Sequence, residues 1–123
     1  MKGRWVLGVD IGGTNLVVAA VPATGGHPSA IRSEVTRPER GPEDAVERIV
    51  AMADDVIETT LRNEDGVRAD FAGVGIGCPG PLDLEKGVIV TTPNLGWDGF
   101  PIRGRISEEL RLPASLDNDA NCA

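Results

Sequence analysis

Histidine and cysteine are scarce in this sequence of 123 residues. His27 is the only histidine and lies in a Gly-Gly-His-Pro stretch that is typical of a turn. Its isolation argues against catalysis by histidine and against a histidine-ligated zinc site. Cys78 and Cys122 lack the Cys-x-x-Cys spacing of metal and redox motifs. We therefore expect two reduced cysteines that serve in packing, with Cys78 a small buried residue.

Long apolar runs and an excess of basic residues are also lacking. No run approaches the ~20 residues that span a bilayer, and the start, Met-Lys-Gly-Arg-Trp, has no apolar signal core. We expect a cytoplasmic protein without a membrane partner. The 12 basic residues face 19 acidic ones, and this net charge of −7 disfavours a nucleic-acid partner. The length and the hydrophobic content predict one domain over residues 1–123.

One polar stretch near the amino terminus, Asp10–Asn15 (Asp-Ile-Gly-Gly-Thr-Asn), separates two apolar runs. Two strand-like runs joined so closely predict a β-hairpin. Gly-Gly between strands is most often only a tight turn. Glycines also leave backbone N–H groups open to a ligand, and the adjacent hydroxyl, amide and carboxylate suit phosphate oxygens and a phosphate-bound Mg²⁺. The stretch is neither a Walker loop nor Gly-x-Gly-x-x-Gly.

The remaining pattern predicts a mixed α/β fold. Strands are expected over about 4–9, 16–21, 30–36, 71–78 and 114–116, a short hairpin around 85–87, and helices over about 42–63 and 101–112. The first three strands form an antiparallel meander, and a strand reached through a helix is expected to pair in parallel. The order β-β-β-α-β-α-β departs from the strict alternation of a dinucleotide-binding fold.

Several polar residues outside the hairpin also allow two interpretations. Asn118 and Asp119 suit the start of a helix as capping residues, but a carboxylate beside an amide also suits sugar hydroxyls. Asp83, Asp98 and Asp117 are interpreted as turn or capping residues. Trp97 is interpreted as the anchor of a loop rather than as a platform that stacks on a sugar.

Four motifs occur in order along nearly the whole chain. They are Asp10–Asn15, Gly75–Asp83 (Gly-Ile-Gly-Cys-Pro-Gly-Pro-Leu-Asp), Pro93–Trp97 (Pro-Asn-Leu-Gly-Trp) and Asn118–Asn121 (Asn-Asp-Ala-Asn). Together they resemble the ROK family of sugar kinases, and within it the bacterial glucokinases. The resemblance implies an actin-like ATPase (RNase H-like) amino-terminal domain with a mixed sheet, in which the elements follow the order β-β-β-α-β-α-β and the chain ends before the last helix.

The resemblance also implies an activity and a set of site residues. The reaction is ATP-dependent phosphorylation of a hexose, most simply glucose to glucose 6-phosphate, with ATP and Mg²⁺ required. Gly12, Gly13, Thr14 and Asn15 would hold the nucleotide phosphates, and Asp10 would face the Mg²⁺ through water. Asn118 would bind sugar hydroxyls, Asp119 would be the catalytic carboxylate that also contacts the substrate, and Gly80, Pro93 and Asn94 would line the sugar pocket.

The sequence matches only the amino-terminal part of the family pattern. The Glu-x-Gly-His sugar motif and the cysteine-rich zinc site are not in it, so no zinc ligands are assigned, and we expect little kinase activity from these residues alone. Kinases of N-acetylmannosamine, N-acetylglucosamine, fructose or allose are the nearest alternatives. Sugar-responsive repressors of the family and a non-catalytic sugar-binding module are the others. The family commonly forms dimers, so a homodimer is expected of the full-length protein.

Overall fold

The computed structural model describes residues 4–90 and 96–118. In these ranges the strands are β1 (Trp5–Ile11), β2 (Asn15–Pro22), β3 (Ala30–Val35), β4 (Phe71–Cys78), β5 (Leu82–Asp83), β6 (Val88–Ile89) and β7 (Ala114–Asn118). The helices are α1 (Pro42–Glu64) and α2 (Ile102–Leu110), and short 3₁₀ turns occupy Pro38–Arg40 and Arg68–Asp70. None of the helices in this part of the chain is long and apolar enough to cross a membrane.

Five of the strands form one mixed sheet in the order β3-β2-β1-β4-β7. The β1–β2 and β2–β3 pairs are antiparallel, whereas β4 pairs in parallel with both β1 and β7. The two parallel strands follow helices, as the sequence predicted, because a crossover is needed to return the chain in the same direction. β5 and β6 form a separate two-stranded hairpin, also as predicted. The predicted mixed-sheet fold class is therefore confirmed.

Helix α1 begins at a proline and carries two acidic residues in its first turn, both of which favour a helix start. Its apolar stripe, which includes Val46, Ile49 and Val56, is buried. In the sheet, alternate residues of β1 such as Leu7 and Ile11 are also fully buried, as the period of two in a strand requires. One hydrophobic cluster joins these residues with the buried face of α2.

The opposite face of the sheet is lined by small residues. Gly8, Gly75 and Gly77 border a concave region of about 540 Å³ together with Val6 and Ala19. Asp10 belongs to this side of β1, since its side chain alternates with those of the buried neighbours Val9 and Ile11. The carboxylate at position 10 therefore projects away from the helix-covered core.

Two of the differences from the predicted element ends bear on the site. β1 continues to Ile11, so Asp10 lies inside the strand rather than at its end. β7 continues to Asn118, and the interpretation of Asp117 as a turn or capping residue is therefore wrong. The reason is the parallel ladder with β4, in which Gly77 is opposite Asp117 and Cys78 is opposite Asn118. Pairing with a neighbouring strand outweighs the local preference of Asp and Asn for helix caps.

Candidate functional site

The short turn between β1 and β2 is open to solvent. The Gly12 N–H donates to the Asn15 carbonyl at 2.9 Å and closes the hairpin. A Cβ at Gly12 would lie only 3.0 Å from that carbonyl oxygen, so the close approach favours glycine there. Gly13, Thr14 and Asn15 are exposed. The structure thus brings the residues predicted to bind phosphate into one accessible turn.

A buried threonine beyond β3 supports this turn. The Thr36 hydroxyl donates to the Gly12 carbonyl at 2.7 Å, and the Thr36 N–H donates to the Thr14 carbonyl at 2.8 Å. Thr36 is completely buried. Sequence reasoning missed it because it lies 24 residues from Gly12 in the chain and belongs to no recognisable motif. Its only sequence signal is the end of a strand that pairs with β2.

The carboxyl ends of the three parallel strands meet at the sheet edge that carries the turn. Asp10 is level with Gly77, which is level with Asp117, and Asn118 follows opposite Cys78. Neighbouring strands are about 4.8 Å apart, so the ends of β1 and β7 are separated by roughly 10 Å. The end of β7 therefore lies on the same edge as the turn, at the distance of a small ligand.

Gly80 and Asn118, both predicted to contact sugar, are neighbours in space. A Cβ at Gly80 would lie 2.9 Å from the Asn118 side-chain nitrogen and 3.1 Å from the Leu82 backbone nitrogen. The Asn118 amide is thus packed against the glycine, with no room for a larger residue between them. Asn118 is half-buried, which leaves part of it accessible to a ligand.

Trp97 lies at the end of the predicted sugar loop. Its side chain is 2% exposed, and its indole N–H donates to the Pro38 carbonyl at 3.2 Å. The interpretation of Trp97 as a loop anchor therefore agrees with the structure. Because Pro38 is two residues beyond Thr36, the loop anchor and the support of the turn belong to the same segment. The predicted site residues Pro93, Asn94 and Asp119 lie outside the described residues.

The other singled-out residues have simpler surroundings. Cys78 is buried, as expected of a small packing residue. Asp83 is the last residue of β5, and its carboxylate oxygen accepts from the Lys86 N–H at 3.1 Å, so it caps the turn that follows. Asp98 lies in a turn, as expected. His27 is exposed in the connection between β2 and β3, at the edge opposite the Gly12–Asn15 turn.

The donor set near the turn suits a metal held mainly by its ligand's phosphates. Among residues 4–90 and 96–118, no three His, Cys, Asp or Glu side chains are grouped so as to hold a metal. Asp10 is an exposed carboxylate two residues before Gly12. Mg²⁺ commonly uses one or two carboxylates together with phosphate oxygens and water. A single carboxylate at this position fits that arrangement.

Comparison with known proteins identifies the family of this chain. The ROK family model matches residues 6–123. A glucokinase from Halalkalibacterium halodurans is 32% identical over 123 residues, which are all of this chain and 36% of that protein. The ROK hexokinase from Thermus thermophilus has a TM-score of 0.79 and 33% identity over 95% of this chain and 36% of its own.

Two further relatives bear on ligands and function. A ROK family glucokinase from Streptomyces griseus, solved with glucose and AMPPNP, has a TM-score of 0.79 and 28% identity over 95% of this chain and 34% of its own. A xylose repressor from Caldicellulosiruptor bescii is 32% identical over 75 residues, 61% of this chain and 19% of that protein. The chain thus spans about a third of the length of the kinases it matches. On the family match and these similarities, the chain belongs to the ROK family.

Proposed function

We propose that residues 1–123 form the amino-terminal domain of an ATP-dependent hexose kinase, with glucose as the hexose. The observation that carries the proposal is the shared sheet edge, where the exposed turn after β1 lies roughly 10 Å from the end of β7. One ligand-sized gap between a phosphate-binding turn and a sugar-binding strand end is what transfer between two small molecules requires.

The turn would hold the phosphates of ATP. Backbone N–H groups that are not covered by side chains are good partners for phosphate oxygens, and Gly13, Thr14 and Asn15 are exposed. The Thr14 hydroxyl and the Asn15 amide add further hydrogen-bonding groups. Asp10 would hold Mg²⁺ through water. When bound, this ion neutralises charge that develops on the transferred phosphoryl group.

The end of β7 would hold the sugar and remove its proton. An amide can donate to one hydroxyl and accept from its neighbour, so Asn118 next to Gly80 suits the paired hydroxyls of a hexose. Asp119 is the next residue in the chain. Sugar hydroxyls are poor nucleophiles, and a carboxylate that accepts the hydroxyl proton speeds such a transfer by about 10²–10⁴-fold. Pro93 and Asn94 would complete the sugar pocket.

The experiment uses a chimera in which this chain replaces the aligned part of the Halalkalibacterium halodurans glucokinase, to which all 123 residues align. We predict that Asp119→Asn lowers kcat for glucose phosphorylation by about 10²–10⁴-fold, because the proton acceptor is lost. Glucose affinity stays within a few-fold, since an amide still hydrogen-bonds to hydroxyls. Glucose 6-phosphate formation and glucose titration measure the two effects.

Asp117→Asn is the matched control for this experiment. Asp117 accepts the Asn118 N–H at 2.8 Å, and an asparagine oxygen can accept the same bond. We expect kcat to stay within a few-fold of the unsubstituted chimera. Undiminished turnover in Asp119→Asn would remove that residue from the proposed role.

The xylose repressor relative favours a second candidate function, a sugar-responsive regulator that binds sugar without phosphorylating it. Such a protein has no need of a nucleotide site. Binding of a hexose or pentose by this chain without any response of the Gly12–Asn15 amides to MgATP would favour the regulator over the kinase.

A further inference from the structure

Thr36 donates hydrogen bonds to two peptide groups in the exposed turn. Its hydroxyl donates to the Gly12 carbonyl and its N–H donates to the Thr14 carbonyl, at 2.7 and 2.8 Å. The Asn15 carbonyl accepts from the Gly12 N–H within the hairpin. Three carbonyl oxygens of the turn are therefore occupied by donors of the protein itself.

The orientation of a carbonyl also fixes the orientation of the N–H group in the same peptide unit. The peptide unit is planar and trans, so the N–H of one residue points opposite to the carbonyl of the residue before it. Because Thr36 holds the Gly12 carbonyl, the Gly13 N–H points away from Thr36. Because Gly13 is exposed, that N–H faces the side from which a ligand can approach.

We propose that Thr36 is a positioning residue for the phosphate-binding turn. Its hydroxyl keeps the Gly12 carbonyl turned inward, and this aims the Gly13 N–H at an anionic oxygen of the bound phosphate chain. Without the hydroxyl, the Gly12–Gly13 peptide can rotate and present its carbonyl dipole to the phosphate, which is repulsive. The inference rests on the proposed phosphate binding by the turn.

The backbone of Thr36 is itself held by Arg48 of helix α1. Its guanidinium donates to the Val35 carbonyl at 2.8 Å and also donates to the Thr36 carbonyl. Asp44 accepts from the same side chain at 2.9 Å, and Glu34 lies 3.6 Å from it. The Arg48 side chain is only 17% exposed, so these contacts fix the carboxyl end of strand β3 relative to helix α1. The turn is thereby connected to helix α1.

The test compares Thr36→Val with Thr36→Ser in the chain of 123 residues. Valine has the shape of threonine without the donor, whereas serine keeps the donor and loses a methyl group. The probes are inorganic tripolyphosphate with Mg²⁺, which reports on the phosphate chain alone, and MgATP. Affinity and the affected amides are measured together by ¹⁵N–¹H correlation spectra, which also report whether each variant is folded.

Thr60→Val is the matched control. Thr60 is also fully buried, but in the part of the chain that the structure describes its hydroxyl has no hydrogen-bond partner. The same substitution in α1 therefore removes a hydroxyl without altering the turn. We expect the control to bind both probes as the unsubstituted chain does.

We expect Thr36→Val to weaken binding of both probes by about tenfold, the size of one charge-assisted hydrogen bond, with Thr36→Ser within about threefold of the unsubstituted chain. The rescue by serine separates positioning of the peptide from mere packing. Equal affinity in Thr36→Val and the unsubstituted chain would overturn the inference while leaving the phosphate site intact.

Two other results also test whether Thr36 positions the phosphate-binding turn. If the unsubstituted chain shows no response of residues 12–15 to either probe, the proposed phosphate site is wrong and the inference fails with it. If Thr36→Val does not fold, Arg48→Gln takes its place, because it releases the Thr36 carbonyl without touching the turn. A loss of about threefold or more is then expected, and unchanged affinity overturns the inference.

Discussion

Two glycines of the site lie so close to other groups that a side chain would displace a neighbour. A Cβ at Gly12 would meet the Asn15 carbonyl, and one at Gly80 would meet the Asn118 amide at 2.9 Å. In the first case the displaced group belongs to the turn, and in the second it is a predicted sugar ligand. These glycines therefore matter because they leave room for neighbouring polar groups, and not because they adopt unusual backbone angles.

Gly80→Ala is predicted to weaken glucose binding by roughly tenfold or more, because the new methyl group pushes Asn118 out of position and one sugar hydrogen bond is lost or bent. Isothermal titration of the chain with glucose measures the effect.

Gly104→Ala in α2 is the control, since among the described residues no atom beyond its own stretch of helix lies within 4 Å of the added Cβ. It should bind glucose normally and gain about 0.5–1 kcal/mol of stability from its better helix propensity. Normal glucose affinity in Gly80→Ala would show that Asn118 does not contact the sugar.

Among the individual site residues, the sequence predicted the glycines and polar residues of the turn, because they are contiguous and chemically unusual. It did not predict Thr36 or the contact between Gly80 and Asn118. Both depend on strand pairing that joins distant parts of the chain, and neither leaves a local pattern that could be recognised.

The two helices of the described chain are joined by a surface ion pair as well as by the core. The Arg105 guanidinium donates to a Glu43 carboxylate oxygen, and Glu109 lies 3.9 Å away on the same helix as Arg105. The hydrogen bond from Arg105 holds the pKa of Glu43 below its ordinary value of 4.5 and outweighs the opposing effect of burial. The same contact raises the pKa of Arg105.

This shift predicts a pH-dependent contribution to stability. A carboxyl group whose pKa is lower in the folded state stabilises the fold above its unfolded pKa, and the contribution is lost as the pH falls through the folded pKa. Glu43→Gln should therefore be slightly less stable than the unsubstituted chain at neutral pH and equally stable well below pH 4.5. Urea unfolding at a series of pH values measures the difference.

Glu58→Gln is the control for this experiment. Glu58 pairs with Arg62 in the same helix, and both side chains are largely exposed, at 73% and 69%. Such pairs contribute little, so we expect a smaller change. A constant difference between Glu43→Gln and the unsubstituted chain at every pH would contradict the assigned contact.

Helix and strand positions were largely predictable because their apolar periodicity is strong, and α1 ends one residue from the prediction. The ends of β1 and β7 were not predictable. Asp10, Asp117 and Asn118 are poor strand formers, and they are extended because the neighbouring strand β4 offers a ladder of backbone partners. The helix and strand preferences of single residues do not show which strand will lie beside them.

In the molecule as a whole, the position of the site depends on the direction of the strands as much as on which residues the strands contain. β1, β4 and β7 run in parallel, so their carboxyl ends lie at one edge of the sheet. The crossover helices predicted this arrangement from the sequence. The antiparallel meander places the Gly25-Gly26 turn at the other edge, away from the Gly12–Asn15 turn and the end of β7. The distances between the strand ends at the site could be obtained only from the structure.

The central claim is that one gap separates the phosphate-binding turn from the end of β7. The most direct measurement is the line broadening that a Mn²⁺ complex of ATP causes in amide signals of the ¹⁵N-labelled chain. We predict strong broadening at Gly13, Thr14 and Gly80, substantial broadening at Asn118, and none at Gly25 or Gly26. Broadening at the turn that leaves Gly80 and Asn118 untouched, or broadening centred on the opposite edge, would contradict the account.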